Sequence, residues 1–300
     1  MSSLHFDNIT VDEISPVPRY KKDITLSVLR LDKIHPVISG NKWFKLKYYI
    51  ADALALGKQT IATFGGAWSN HIVATAAACN ENNIGSIGII RGEEPASLSL
   101  TLLTAQSLGM KLYFTSRTDY KEKNIPYALN DSANDIYFIN EGGYGIKGAK
   151  GAATIAVLFS GKQYTHICCA AGTGTMMAGL IKSSAALQEV IGISVLKNNH
   201  AQETEIMNLL AADERLKKFH IKHEYHFGGY AKYTQDLIDF MNDFYKTTNV
   251  PSDFVYTGKL FYAVNDLIRT NFFPSGSRIL MIHSGGLQGN QSLKPGMLIF

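Results

Sequence analysis

The residue with the plainest chemical use in this 300-residue sequence is Lys42, in the segment Ser39-Gly40-Asn41-Lys42-Trp43-Phe44-Lys45-Leu46-Lys47. A lysine amine turns nucleophilic when burial or a nearby cation lowers its pKa. Lys45 follows one helical turn later, so a helix starting here sets two amines side by side. One could bond a carbonyl carbon as a Schiff base while the other pairs with an anion. Gly40-Asn41, directly before the pair, allows the backbone to approach other groups closely.

Two glycine-rich turns give these amines a context. In Gly172-Thr173-Gly174-Thr175, helix-start amides and two hydroxyls make a cradle suited to phosphate. The turn lacks the lysine of G-x-x-x-x-G-K-[ST] and the spacing of G-x-G-x-x-G, and no ribose-binding acid follows. Alone, tight helix–strand packing would account for it. Ser69-Asn70-His71, after Gly65-Gly66-Ala67-Trp68, opens another helix. Ser69 reads either as an N-cap or as a hydroxyl that joins the helix amides in holding a carboxylate, and the residues alone leave both open. Amine, phosphate cradle and carboxylate site together point to pyridoxal phosphate. Tyr256 and Tyr230 gain a catalytic meaning only if both face Lys42. His71 and His283 read as packing or capping residues, since the nine histidines show no metal spacing and no metal is expected.

The elements that must position these residues alternate between short apolar runs and helical stretches. Strands are predicted at Thr60–Phe64, Ile84–Ile90, Lys111–Phe114, His166–Ala170, Val190–Val195, His220–Tyr225 and Arg278–Ile282. Helices are predicted at Ser69–Glu81, Leu98–Leu108, Gly148–Phe159, Met176–Ser184, Gln202–Ala212 and Gln235–Tyr245, with another beginning at Tyr256. Gly57, Gly85 and Gly109 sit where helices should stop. The alternation indicates an α/β protein with two open, twisted, mostly parallel sheets and helices on both faces. The expected division is a large domain of residues 1–51 and 146–300 and a small one of 52–145, with the ligand in the cleft between them.

Composition narrows the partners. The hydrophobic fraction is 46% and the net charge +4, and basic spots such as Lys21-Lys22 and Lys217-Lys218 are short enough to be solvated surface. Nucleic acid and membrane surfaces are therefore poor partners. No apolar run approaches the roughly 20 residues that span a bilayer. Cys79, Cys168 and Cys169 lack C-x-x-C spacing, and Met1–Asp7 lacks the pattern of a secretory signal, so a cytoplasmic protein is expected.

The chain resembles the D-cysteine desulfhydrase and 1-aminocyclopropane-1-carboxylate (ACC) deaminase family of fold-type II pyridoxal phosphate enzymes. The resemblance rests on collinear motifs: Ser39-Gly40-Asn41-Lys42, Ser69-Asn70-His71, Gly172–Thr175 with Ala178-Gly179-Leu180, Tyr256-Thr257-Gly258-Lys259 and His283-Ser284-Gly285-Gly286. It implies that Lys42 forms the internal aldimine and that Lys45 and the Gly172–Thr175 loop hold the phosphate. It further implies Asn70 at the ring's phenolic oxygen, Ser69 at the substrate carboxylate, and Tyr256 and Tyr230 beside the substrate. Ser284 and Thr257 match positions near the pyridine nitrogen. The resemblance also carries an expectation of a homodimer and a small amino-acid substrate. The sequence departs from the family at Trp68, Val73 and Phe44, where Gln, Arg and Arg are usual.

Thr257 stands where ACC deaminases carry Glu. A neutral partner for the ring nitrogen makes a weaker electron sink, which suits β-elimination of a good leaving group better than ring opening. D-cysteine desulfhydrase-like activity is thus favoured. ACC deamination is the alternative, and a pyridoxal phosphate-binding relative with little turnover the second.

Overall fold

The computed structural model describes residues 4–14, 23–129 and 133–300; Met1–Ser3 and the Lys21-Lys22 spot lie outside the described residues. The strands are β1 (Val11–Ile14), β2 (Thr25–Arg30), β3 (Thr60–Gly65), β4 (Gly85–Arg91), β5 (Met110–Thr115), β6 (Ile136–Ile139), β7 (His166–Ala171), β8 (Glu189–Ser194), β9 (Phe219–Lys222) and β10 (Arg278–His283). The α-helices are α1 (Lys42–Ala55), α2 (Asn70–Glu81), α3 (Leu100–Ser107), α4 (Arg117–Glu122), α5 (Ile146–Ala153), α6 (Thr175–Ser183), α7 (Gln202–Met207), α8 (Gln235–Thr248) and α9 (Thr257–Arg269). Six strands pair in the order β1-β2-β10-β7-β8-β9 and four in the order β5-β4-β3-β6. Among the described residues only the β1–β2 strand pair is antiparallel; the other strand pairs are parallel.

Side-chain alternation explains how the six-stranded sheet is covered on both faces. Along β7, Ile167, Cys169 and Ala171 pack in one core with α5 and α6, while Cys168 and Ala170 pack in another with α8 and α9. A strand buried on both sides needs no polar face, which is why His166–Ala171 is so apolar. All three cysteines are buried and unpaired. The four-stranded sheet is treated alike: Ile61 packs with α1 and α2, whereas Ala62 and Phe64 pack with Tyr120 of α4. Helix α1 belongs to both halves, because Phe44 joins the core beneath the six-stranded sheet and Leu46, Tyr49, Ile50 and Ala53 join that of the four-stranded one.

Several expected elements differ. Helix α7 stops at Met207, where the backbone tightens: Leu209 and Leu210 N–H donate to the carbonyls of Ile206 and Met207 at 3.0 and 3.1 Å, and Arg215 Nε donates to the Met207 and Leu210 carbonyls at 3.1 and 3.2 Å. The strand expected at His220–Tyr225 is Phe219–Lys222, its pairing ending opposite Ile193 of β8. The stretch after α5 tightens to a 3-10 helix at Thr154–Phe159. Gly57 and Gly109 take left-handed conformations behind α1 and α3, but Asn83 (φ 54°) does this behind α2, and Gly85 simply begins β4. Lys217 is not free surface: it donates to the carbonyls of Lys182 and Ser184 at 2.6 and 2.9 Å, capping the end of α6. Strands β1, β2 and β6 and helix α4 have no counterpart among the predicted elements.

Candidate active site

A cavity of ≈ 1180 Å³ opens where the carboxyl ends of β3, β4, β6, β7, β8 and β10 converge, so both sheets supply its walls. This is where open α/β sheets bind ligands, since strand-end loops can vary without disturbing the sheet. Lys42, Lys45, Ser69, Asn70, Tyr230 and Tyr256 all line it, as do Gly172, Thr173, Gly174 and Ser284. Residues spread over most of the sequence thus meet in one space.

Two segments distant in sequence lock Lys42 in place. Gly40 (φ 70°) lies so near the Ser284–Gly285 backbone that a Cβ there would come within 1.8 Å of the Ser284 carbonyl oxygen. Asn41 N–H donates to that oxygen at 3.2 Å. The next turn begins α1, and Lys42 Nζ donates to Asn41 Oδ1 at 2.8 Å. Burial pushes the Lys42 amine down to about 8, against the pull of the Asp253 carboxylate. Burial also pushes Lys45 well below the usual lysine range, and the Lys42 charge adds to this. Lys45 Nζ donates to the Gly142 carbonyl at 3.3 Å, on the opposite wall.

The Gly172–Thr175 turn lies beside the lysines. Gly174 (φ 73°) precedes α6 and accepts its hydrogen bond from Ala178 N–H at 2.9 Å, so the amides of the first turn have no acceptor within the helix. Thr173 lines the cavity, whereas Thr175 is fully buried and its Oγ1 lies 2.9 Å from that of Thr173. Opposite, Ser69 Oγ accepts from His71 N–H and Ile72 N–H at 3.3 and 3.4 Å, capping α2. Asn70 Oδ1 and His71 Nδ1 are buried without a hydrogen-bond partner among the described residues. His71, read from sequence as a packing residue, therefore both bonds Thr63 Oγ1 at 2.9 Å and lines the cavity. Burial, then the two lysine charges, hold its imidazole well below the usual pKa and so neutral.

Tyr230 and Tyr256 do face the Lys42 cleft. Their rings meet edge-to-face at 6.1 Å, and Lys42 Nζ is 5.8 Å from the Tyr256 ring centroid. Burial raises both phenols above their ordinary range. Thr257 is not brought to the cavity wall. It is fully buried, and its hydroxyl donates to Asp253 Oδ2 at 2.6 Å. Asp253 also accepts from the amides of Val255, Tyr256 and Thr257 at 2.7–3.0 Å, which fixes the start of α9. Of the three departures from the family pattern, Trp68 (39% exposed) lines the cavity, while Phe44 and Val73 are buried away from it. Sequence reasoning missed Arg91, Lys123 and Glu141, which edge the cavity, with Lys123 and Glu141 paired at 3.0 Å. The available signal was position: Arg91 is the charged end of an apolar strand and Glu141 follows another.

Two adjacent amines and a turn of free amides, with the Asn70 carboxamide in the same cavity, make a polar lining that fits a phosphorylated aromatic aldehyde. The chain belongs to the family of pyridoxal-phosphate dependent enzymes, whose model matches residues 13–285. It is 28% identical to a putative 1-aminocyclopropane-1-carboxylate deaminase of Pyrococcus abyssi, over 92% of this chain and 89% of that one. It is also 28% identical to a bifunctional D-cysteine desulfhydrase/1-aminocyclopropane-1-carboxylate deaminase of Arabidopsis thaliana, over 84% of this chain and 70% of the relative. Among solved structures, an ACC deaminase homologue superimposes with a TM-score of 0.80 at 25% identity, covering 97% of this chain and 92% of the other.

Proposed function

We propose that the protein is a D-cysteine desulfhydrase-like lyase that converts D-cysteine and water to pyruvate, hydrogen sulfide and ammonia. The observation that carries this reading is the lack of a carboxylate at the position after Tyr256: Thr257 is turned away onto Asp253, leaving the neutral Ser284 hydroxyl on that wall of the cavity. Bound pyridoxal phosphate supplies an electron-withdrawing ring that lets the substrate lose its Cα proton. Lys42 would hold the cofactor through its aldehyde carbon and, as a free amine, would take the substrate's Cα proton. Its pKa near 8 suits a base at neutral pH. Tyr256, its phenol held protonated by burial, gives a proton to the departing sulfur.

The other residues bind and orient. Lys45, Thr173 and the Gly172–Thr175 amides hold the phosphate, with Thr175 acting through Thr173. Asn70 takes the phenolic oxygen, Ser284 the ring nitrogen, Ser69 and the start of α2 the substrate carboxylate, and Tyr230 the far side of the substrate. In this reading Thr257 acts on the ring only through Asp253 and the start of α9. The same reading makes the protein a cytoplasmic homodimer, and its three unpaired cysteines support a reducing compartment. It divides the chain into domains 1–51 with 146–300 and 52–145, a division supported by the allotment of strands to the two sheets.

ACC deamination is the second reading, favoured by the name of the Pyrococcus abyssi relative. The test gives purified, cofactor-loaded protein D-cysteine, L-cysteine and ACC in parallel. Sulfide and pyruvate from D-cysteine alone support the lyase. 2-Oxobutanoate from ACC overturns the argument from the neutral wall. A visible Schiff-base absorbance band that survives Lys42→Ala overturns the role of Lys42.

A further inference from the structure

Lys259 is among the largest fully buried side chains of the described residues, and nothing in the proposed chemistry uses it. Burying an ammonium is costly unless its hydrogens are satisfied, and an apolar residue of similar volume would pack there without that cost. Its Nζ donates to the carbonyls of His226 and Gly229 at 2.8 and 2.7 Å. These carbonyls bracket a loop that is unfavourable by itself. Phe227, Gly228, Gly229 and Ala231 all have positive φ, from 51° to 116°, and two of the four carry side chains. The residue within this run whose ring reaches the active-site cavity is Tyr230, 40% exposed into it.

Lys259 sits three residues after Tyr256, on the first turn of α9, so the two side chains leave the helix from neighbouring positions. Asp253, which caps this turn through three amides and the Thr257 hydroxyl, is the acid whose charge acts on Lys259. One helical turn therefore holds Tyr256 directly and reaches Tyr230 through an ammonium. We propose that Lys259 is a positioning residue that clamps the 226–231 loop, so that Tyr230 and Tyr256 present to the substrate as one rigid pair. This rests on the reading that the cavity binds the substrate beside both tyrosines.

The test compares wild-type holoenzyme with Lys259→Met, Tyr230→Phe, the double variant and Lys259→Arg. In Lys259→Met, amides of residues 227–233 exchange with deuterium at least about tenfold faster, while those of β7 and β10 and the cofactor absorbance stay unchanged. kcat falls about tenfold or more, and the double variant is no slower than the worse single one, because both act through Tyr230. Lys259→Arg, which keeps the donors, restores slow loop exchange. Unchanged loop exchange, or losses that simply add, overturns the proposal. Should Lys259→Met fail to fold, Lys259→Gln takes its place with the same readouts. If the wild type turns over none of the amino acids, the functional reading fails separately, and loop exchange with its rescue by arginine decides the clamp.

Discussion

Lys42 shows how position alone prepares a residue for chemistry. An exposed lysine titrates near 10.5, while burial in the cavity brings this one to about 8. Protonated Lys42 cannot attack an aldehyde, so the rate of cofactor attachment to the apoprotein should rise with pH and level off above about 8. For an ordinary lysine the rise would continue to about 10.5. Stopped-flow absorbance across that range checks this, and a rise that runs on to the ordinary value would show that the amine is not buried as described. The sign of the stability effect is also fixed. A lysine whose folded pKa is depressed penalises folding while it is charged, and the penalty fades as pH climbs from about 8 towards the unfolded value. The apoprotein should therefore gain stability through that window, measured by urea unfolding.

The elements matter because each brings one chemical group to the same place. Ser69 illustrates how a cap and a binding group can be the same atom: its Oγ accepts from two amides of α2 and also lines the cavity. Ser69→Ala should cost about 1 kcal/mol of stability as a lost cap. It should raise KM by much more than a cap alone explains, whereas Ser69→Thr should keep the cap. Kinetics beside thermal unfolding separates the two effects. Gly40 tests the joint between the turn before α1 and β10. Gly40→Ala forces a Cβ into the Ser284 carbonyl at a left-handed φ, and should cost more than about 3 kcal/mol and weaken cofactor binding. Near-normal unfolding would contradict the close approach. Much of this was legible in the sequence, since strand–turn–helix spacing gave β3 with α2 and β7 with α6, and left Ser69 as either a cap or a carboxylate-binding hydroxyl. What escaped was settled by partners far along the chain. Thr257 reads as a cavity hydroxyl until Asp253 claims it, and β2 is recognisable only once β10 lies beside it. Arg91 and Glu141 carry no motif and become site residues only through the convergence of strand ends.

At the scale of the molecule, two sheets share one helix and one cavity. Hydrogen exchange should be slowest in β7, β8 and β10, which lie inside the six-stranded sheet, and fastest in the edge strands β1, β5, β6 and β9. Adding pyridoxal phosphate should slow exchange in α1 and in the first turns of α2 and α6 together, because the proposed ligands come from all three. Protection confined to one of them would argue against a cofactor held by both sheets. The order of the six-stranded sheet has a further consequence, for the time at which the protein can exist at all. Strand β2 is made long before β10 yet runs alongside it, and β10 is also the strand that joins the β1–β2 ribbon to the rest of the sheet. Until Arg278–His283 is available, the other edge of β2 has no partner strand and one wall of the cavity is missing, so chains truncated before β10 should aggregate rather than bind cofactor.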